Sequence, residues 1–61
     1  MKIELIAEIV VLSESKEIEC IDTLTDEEIH KLRREYSETL QKEGYIVKET
    51  YATYKGIFYS D

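Results

Sequence analysis

Residues 2–12, KIELIAEIVVL, alternate between two faces with the period of a β-strand, and this alternation is the strongest constraint on the fold. One face is wholly aliphatic, and its members are Ile3, Leu5, Ala7, Ile9 and Val11. The other face combines aliphatic with charged side chains, and its members are Lys2, Glu4, Ile6, Glu8, Val10 and Leu12. We therefore expect a strand that is buried on one side and mixed in character on the other.

A hairpin is expected to follow this strand. Residues 13–16 are predicted to form its turn, with Glu14 and Ser15 at the centre, and residues 17–22 to form its second strand. The position of this turn determines the cross-strand pairs, which are Val11 with Ile18 and Ile9 with Cys20. The paired side chains then share the aliphatic face, as the register of a half-buried hairpin requires.

A helix is predicted over residues 25–43, with a signal at each end. Thr25 and Glu28 have the spacing of a capping box, and the acidic first turn suits the helix dipole. Gly44 is the residue type that most often ends a helix in the left-handed conformation. Between these ends, apolar residues recur at spacings of three and four, at Ile29, Leu32, Tyr36 and Leu40. The pattern predicts one amphipathic helix with one apolar stripe.

Residues 45–54 are rich in Tyr, Val, Ile and Thr and predict a third strand. Its two faces have similar character, so alternation does not decide whether Tyr51 or Tyr54 faces the core. Gly56 allows two structures beyond this strand. It forms either a turn that leads to a short fourth strand at residues 57–59, or a kink in one long strand.

The order strand, strand, helix, strand predicts a small α+β fold, a two-layer sandwich formed by a single domain at residues 1–61. A right-handed crossover through the helix makes the third strand parallel to the second. Both then pair antiparallel with the first strand, which gives the sheet order 2-1-3. The helix packs on one face of this sheet.

The opposite face is the predicted binding surface, because one helix covers only one side of a sheet. An apolar patch left open on so small a protein is typical of an interface. The residues expected to make contact are Ile6, Val10, Leu12, Ile21, Tyr51 and Tyr54. An acidic surface is expected at Glu4, Glu8, Glu17, Glu19, Glu27 and Glu28. The alternative is a wetted sheet face with scattered apolar residues.

Composition excludes several kinds of chemistry. The chain has 61 residues, a formal net charge of −6, two glycines and one cysteine. Cys20 and His30 fall short of the four ligands of a structural zinc site, and two glycines do not make a phosphate-binding loop. We interpret Cys20 as a buried thiol and His30 as a surface histidine. We therefore predict a protein with no catalytic residue, no metal, no cofactor and no small-molecule substrate.

The location and partners are inferred from the same composition. A lone cysteine, with no secretory signal and no apolar run long enough to span a membrane, favours a cytoplasmic protein without membrane contact. The acidic balance argues against direct binding of nucleic acid, which requires clustered Lys and Arg. The small core favours a homodimer.

The resulting hypothesis is a small acidic, non-enzymatic protein-binding module. Such a module would act as an inhibitor, from a phage or as an accessory protein, that occludes a host protein. The alternative function is an inhibitor that mimics nucleic acid, with carboxylates in the positions of phosphates. Salt dependence distinguishes the two, because binding by a mimic weakens steeply with salt and contact through an apolar patch does not.

Overall fold

The computed structural model describes residues 2–9, 13–20 and 23–60. Along the chain they form β1 (Lys2–Ile9), β2 (Ser13–Glu19), α1 (Asp26–Lys42), β3 (Val47–Tyr54) and β4 (Ile57–Tyr59). The strands make one antiparallel sheet in the order β2-β1-β3-β4, and α1 packs on one side of it. The predicted α+β fold, with β1 between β2 and β3 and a helix on one face, is confirmed. A fourth strand extends the sheet beyond β3.

The helix α1 begins and ends at the predicted caps. The Thr25 hydroxyl accepts the backbone N–H of Glu28 at 3.2 Å, and the Glu28 carboxylate accepts the N–H of Thr25 at 2.9 Å, which completes the capping box. At the other end Gly44 has a φ of +99°, in the left-handed region. The N–H of Tyr45 donates to the carbonyl of Leu40 at 3.1 Å, as in a Schellman motif.

The register of the β1–β2 hairpin differs from the prediction, although the faces agree. Ile18 lies opposite Ile3 instead of Val11, and the residues predicted to form the turn lie within β2. The predicted pair of Ile9 with Cys20 is also wrong, because the observed register places them at opposite ends of the hairpin. Alternation fixes only the face of each side chain, and an even change of register preserves every face. Val11 itself lies outside the described residues.

A two-residue turn joins β3 to β4. Lys55 and Gly56 have φ angles of +53° and +76°, and a type I′ turn requires positive φ at both of its central positions. Tyr54 and Ile57 close the turn as a cross-strand pair. The fourth strand is therefore separate from β3, and of the two structures that the sequence allowed, the kink is wrong.

The core lies between α1 and the sheet. Its buried members are Ile3, Leu5, Ile29, Ala52 and Tyr54. Tyr54 is 3% exposed, and its hydroxyl accepts the backbone N–H of Leu24 at 2.9 Å. The prediction that Tyr54 is a contact residue of the uncovered face is therefore wrong. The β1–β3 register pairs Tyr54 with Ile3, which places its ring under α1.

Candidate functional site

One side of the sheet faces away from α1, and we call it the open face. Strand register and alternation determine which side chains it carries. They are Lys2, Glu4, Ile6 and Glu8 from β1, Ser13, Ser15, Glu17 and Glu19 from β2, Glu49, Tyr51 and Thr53 from β3, and Phe58 from β4. Glutamates and large apolar side chains therefore share one surface.

The large apolar side chains of the open face lie next to one another, and we call them the apolar centre. Ile6 and Tyr51 are directly opposite across β1 and β3. The rings of Tyr51 and Phe58 stack with 5.2 Å between centroids and 29° between planes. Phe58 remains 59% exposed. Aromatic pairs of this kind offer a rigid apolar surface at low entropic cost, which is why they are common at interfaces.

The glutamates of the open face oppose one another across strands. Glu4 lies opposite Glu17, and Glu8 lies opposite Glu49. Directly opposed like charges destabilise a sheet. The Lys2 ammonium, 3.6 Å from the Glu17 carboxylate, offsets little of this repulsion because both groups are well exposed. The open face therefore carries an excess of negative charge.

The Tyr51 hydroxyl connects the apolar centre with one of these glutamate pairs. It donates a hydrogen bond to the Glu49 carboxylate and lies 3.2 Å from a carboxylate oxygen of Glu8. The hydrogen bond to Glu49, followed by desolvation and the nearby negative charges, raises the pKa of Tyr51 to about 12. A hydroxyl proton held between two carboxylates reduces their repulsion, so Tyr51 keeps the pair in place on the open face.

The acidic residues predicted on the helix lie apart from the open face. Glu27 and Glu28 are exposed in the first turn of α1, on the other side of the sheet. The hydrogen bonds of its carboxylate with Thr25 hold the pKa of Glu28 below its ordinary value. Glu28 therefore has a structural role in the cap, whereas Glu27 has its negative charge at the favourable end of the helix dipole.

His30 and Arg33 form a polar connection between α1 and β3. The guanidinium of Arg33, which is 3% exposed, donates to Nδ1 of His30 at 2.6 Å and to the carbonyl of Thr50 at 2.7 Å. Arginine only donates hydrogen bonds, so Nδ1 of His30 is the acceptor. The His30 ring also meets the Tyr59 ring edge-on, 5.9 Å between centroids. His30 is thus half-buried rather than a plain surface residue.

Cys20 is half-buried against the core, close to the buried thiol that the sequence predicts. Its Sγ–H donates to the carbonyl of Ile18 at 3.7 Å. Ile18 lies in β2 and Cys20 directly follows this strand, so the thiol is satisfied by a neighbouring carbonyl. Cys20 therefore contributes to packing in this structure.

The structure brings together part of the predicted contact and acidic residues. Ile6 and Tyr51 share the open face with four predicted glutamates, Glu4, Glu8, Glu17 and Glu19. Val10, Leu12 and Ile21 lie outside the described residues. Phe58 and Glu49 also belong to the open face but were not selected from the sequence. The aromatic clustering at the end of the chain was a signal for Phe58, whereas Glu49 became identifiable only from the β1–β3 register.

Within residues 2–9, 13–20 and 23–60, no group of His, Cys, Asp and Glu side chains has the arrangement of a metal site. In the same part of the chain, no helix has the length and apolar character needed to cross a membrane. Comparison with protein-family models, with curated proteins and with solved structures found no match.

Proposed function

We propose that this protein is a non-enzymatic binding module whose open face docks onto a basic surface of another protein. The observation that supports this proposal is an aromatic pair and opposed glutamate pairs on the same uncovered sheet face. Tyr51 and Phe58 would supply buried contact area, and the glutamates would select partners by charge. Cationic groups placed between Glu8 and Glu49 would also relieve the repulsion of that pair.

The charge of the open face favours a basic partner over a second copy of this chain. A homodimer that stacks two open faces would place the glutamates of one copy against those of the other. Juxtaposed like charges at an interface cost several kcal/mol, and the exposed Lys2–Glu17 pair compensates for little of this cost. We therefore propose that the open face acts in a complex with a different protein, and that the homodimer is the less favoured assembly.

The positions of the carboxylates also favour this function over mimicry of nucleic acid. A mimic that combines the helix glutamates with those of the sheet would need both sets in one binding groove. Glu27 and Glu28 lie on the α1 side of the sheet, opposite to the open face. A single binding groove of the target could therefore contact either the helix glutamates or the sheet glutamates, but not both. An inhibitor of a host protein would act by covering a basic surface with the open face.

Two neighbouring residues of β4 provide a matched test. Phe58 lies on the open face and Ile57 on the other, and their exposed fractions are similar, 59% and 55%. Wild type, Phe58→Asp and Ile57→Asp would each be immobilised and used to capture proteins from a bacterial lysate. The dissociation constant of the captured partner would then be measured at several salt concentrations.

The proposal predicts a captured partner with a basic surface. Its binding is expected to weaken at least about tenfold with Phe58→Asp and to remain close to wild type with Ile57→Asp. Equal effects of the two substitutions would contradict docking through the open face. A wild-type chain that sediments as a dimer and loses this state in Phe58→Asp would show that the open face serves self-association instead.

A further inference from the structure

A second surface lies on the other side of the sheet, in a groove between α1 and the outer strand β2. The helix packs over β3 and β1, which leaves the groove above β2. Its volume is about 380 Å³. The apolar residues that line it are Leu5, Ile18, Leu32, Tyr36 and Leu40. The groove therefore brings solvent to the edge of the hydrophobic core.

The groove runs beside an unpaired strand edge. In the described sheet, β2 is an outer strand and pairs with β1 alone. Alternate backbone N–H and C=O groups of Ser13–Glu19 therefore point away from the sheet, and such an edge is a template for a further strand. An added strand would direct every second side chain toward the α1 side, where the groove lies. Edge and groove together have the form of a site for an extended peptide.

The charges around the groove indicate the chemistry of the occupant. Glu35 of α1 and Glu43, which directly follows α1, line the groove together with Lys16 of β2. Burial raises the pKa of Tyr36, and the negative charges of Glu14 and Glu43 raise it further. Carboxylates therefore outnumber cations around Tyr36. A cationic segment complements this rim, while the charges on β2 prevent indiscriminate pairing with other strands.

We propose that the groove and the β2 edge bind an extended segment of a partner protein, in which every second residue faces α1 and these residues are apolar or basic. The apolar side chains enter the groove against Leu32 and Tyr36, and the basic side chains on the same side meet Glu35 and Glu43. This site is separate from the open face and does not depend on the function proposed above. A second copy of β2 is a poorer occupant, because antiparallel pairing centred on Lys16 places that residue against itself.

The test uses an alternating synthetic peptide, with threonine at every second position and valine or lysine at the positions between, so that valine and lysine share one face of the strand. It is added to the isotope-labelled full chain, and binding is followed by NMR. The control peptide has the same composition arranged with the period of an amphipathic helix. Binding at the groove would shift the amide signals of β2 and slow their hydrogen exchange, while the amides of β4, at the other edge, would not change. A paired substitution, Glu35→Lys with Glu43→Lys, is expected to weaken binding at least about tenfold.

A matched variant on the other side of the helix controls for total charge. Glu27→Lys with Glu38→Lys changes the net charge equally but lies away from the groove. We expect this variant to bind the alternating peptide within about twofold of wild type. Equal weakening by both variants, equal binding of both peptides, shifts confined to Tyr51 and Phe58, or no shift at all would each overturn the inference.

Discussion

At the scale of single residues, two tyrosines of β3 have opposite roles. Tyr54 faces α1, where it is buried and its hydroxyl accepts the N–H of Leu24. Tyr51 is three residues earlier and faces the opposite side, where it stacks on Phe58 and donates to Glu49. The two-residue period of a strand accounts for this difference. One tyrosine therefore stabilises the core, and the other shapes the open face.

The raised pKa of Tyr51 determines how stability responds to alkali. Its pKa of about 12 in the folded chain exceeds the ordinary value of 10.0, so the neutral hydroxyl is favoured by folding. This contribution is complete below pH 10 and is lost as the pH rises from there to about 12. Glu49→Gln removes the main cause, and we expect the pKa of Tyr51 to fall. Titration of the phenolate absorbance in both proteins checks this, and an unchanged pKa in the variant would contradict the account.

The orientations of Tyr51 and Tyr54 and the burial of Arg33 could not be predicted from the sequence. Both faces of residues 45–54 carry aromatic and polar side chains, so no pattern within the strand distinguishes Tyr51 from Tyr54. The cross-strand neighbours, Ile6 and Ile3, make the distinction, and they depend on the tertiary pairing. Arg33 was missed for a different reason. A charged residue is normally expected at the surface. The long side chain of Arg33 can nevertheless lie in the interior, because its guanidinium reaches polar partners there.

At the scale of elements, α1 depends on signals that are local in sequence. The capping box uses residues three positions apart, and the terminal Schellman bond joins residues five positions apart. Local signals of this kind are readable without knowledge of the fold, and both ends of α1 were predicted correctly. The β1–β2 register is different, because alternation is satisfied equally by every even shift. Its faces were therefore predictable and its pairs were not.

The capping box at Thr25 should contribute measurably to the free energy of unfolding. Thr25→Ala removes the acceptor of the Glu28 N–H, and we expect the free energy of unfolding in urea to fall by about 1 kcal/mol. Thr39→Ala is the control, because Thr39 lies within the same helix and its hydroxyl only donates back to the carbonyl of Glu35. Alanine has a higher helix propensity than threonine, so the Thr39→Ala variant should be as stable as wild type or more stable. Equal destabilisation of the two variants would contradict the role of the cap.

At the scale of the whole molecule, the described residues form one helix that packs on one side of a four-stranded sheet. This imbalance follows from the order of the elements, and the uncovered face was therefore predictable from the sequence. Its composition was predictable in part. The aliphatic and acidic residues of β1 were assigned from alternation, whereas Phe58 and Glu49 joined them through strand pairings that the sequence left undetermined. The resulting surface is apolar at its centre and acidic around it.

Binding of a partner to the open face would cover Tyr51 and Phe58. Side-chain footprinting by mass spectrometry, on the free protein and on its complex with the captured basic protein, tests it most directly. We expect that labelling of Tyr51 and Phe58 falls on binding, while Ile57, which is 55% exposed on the α1 side of the sheet, is labelled as before. Loss of labelling at Ile57, with Tyr51 and Phe58 unchanged, would show that the partner binds elsewhere.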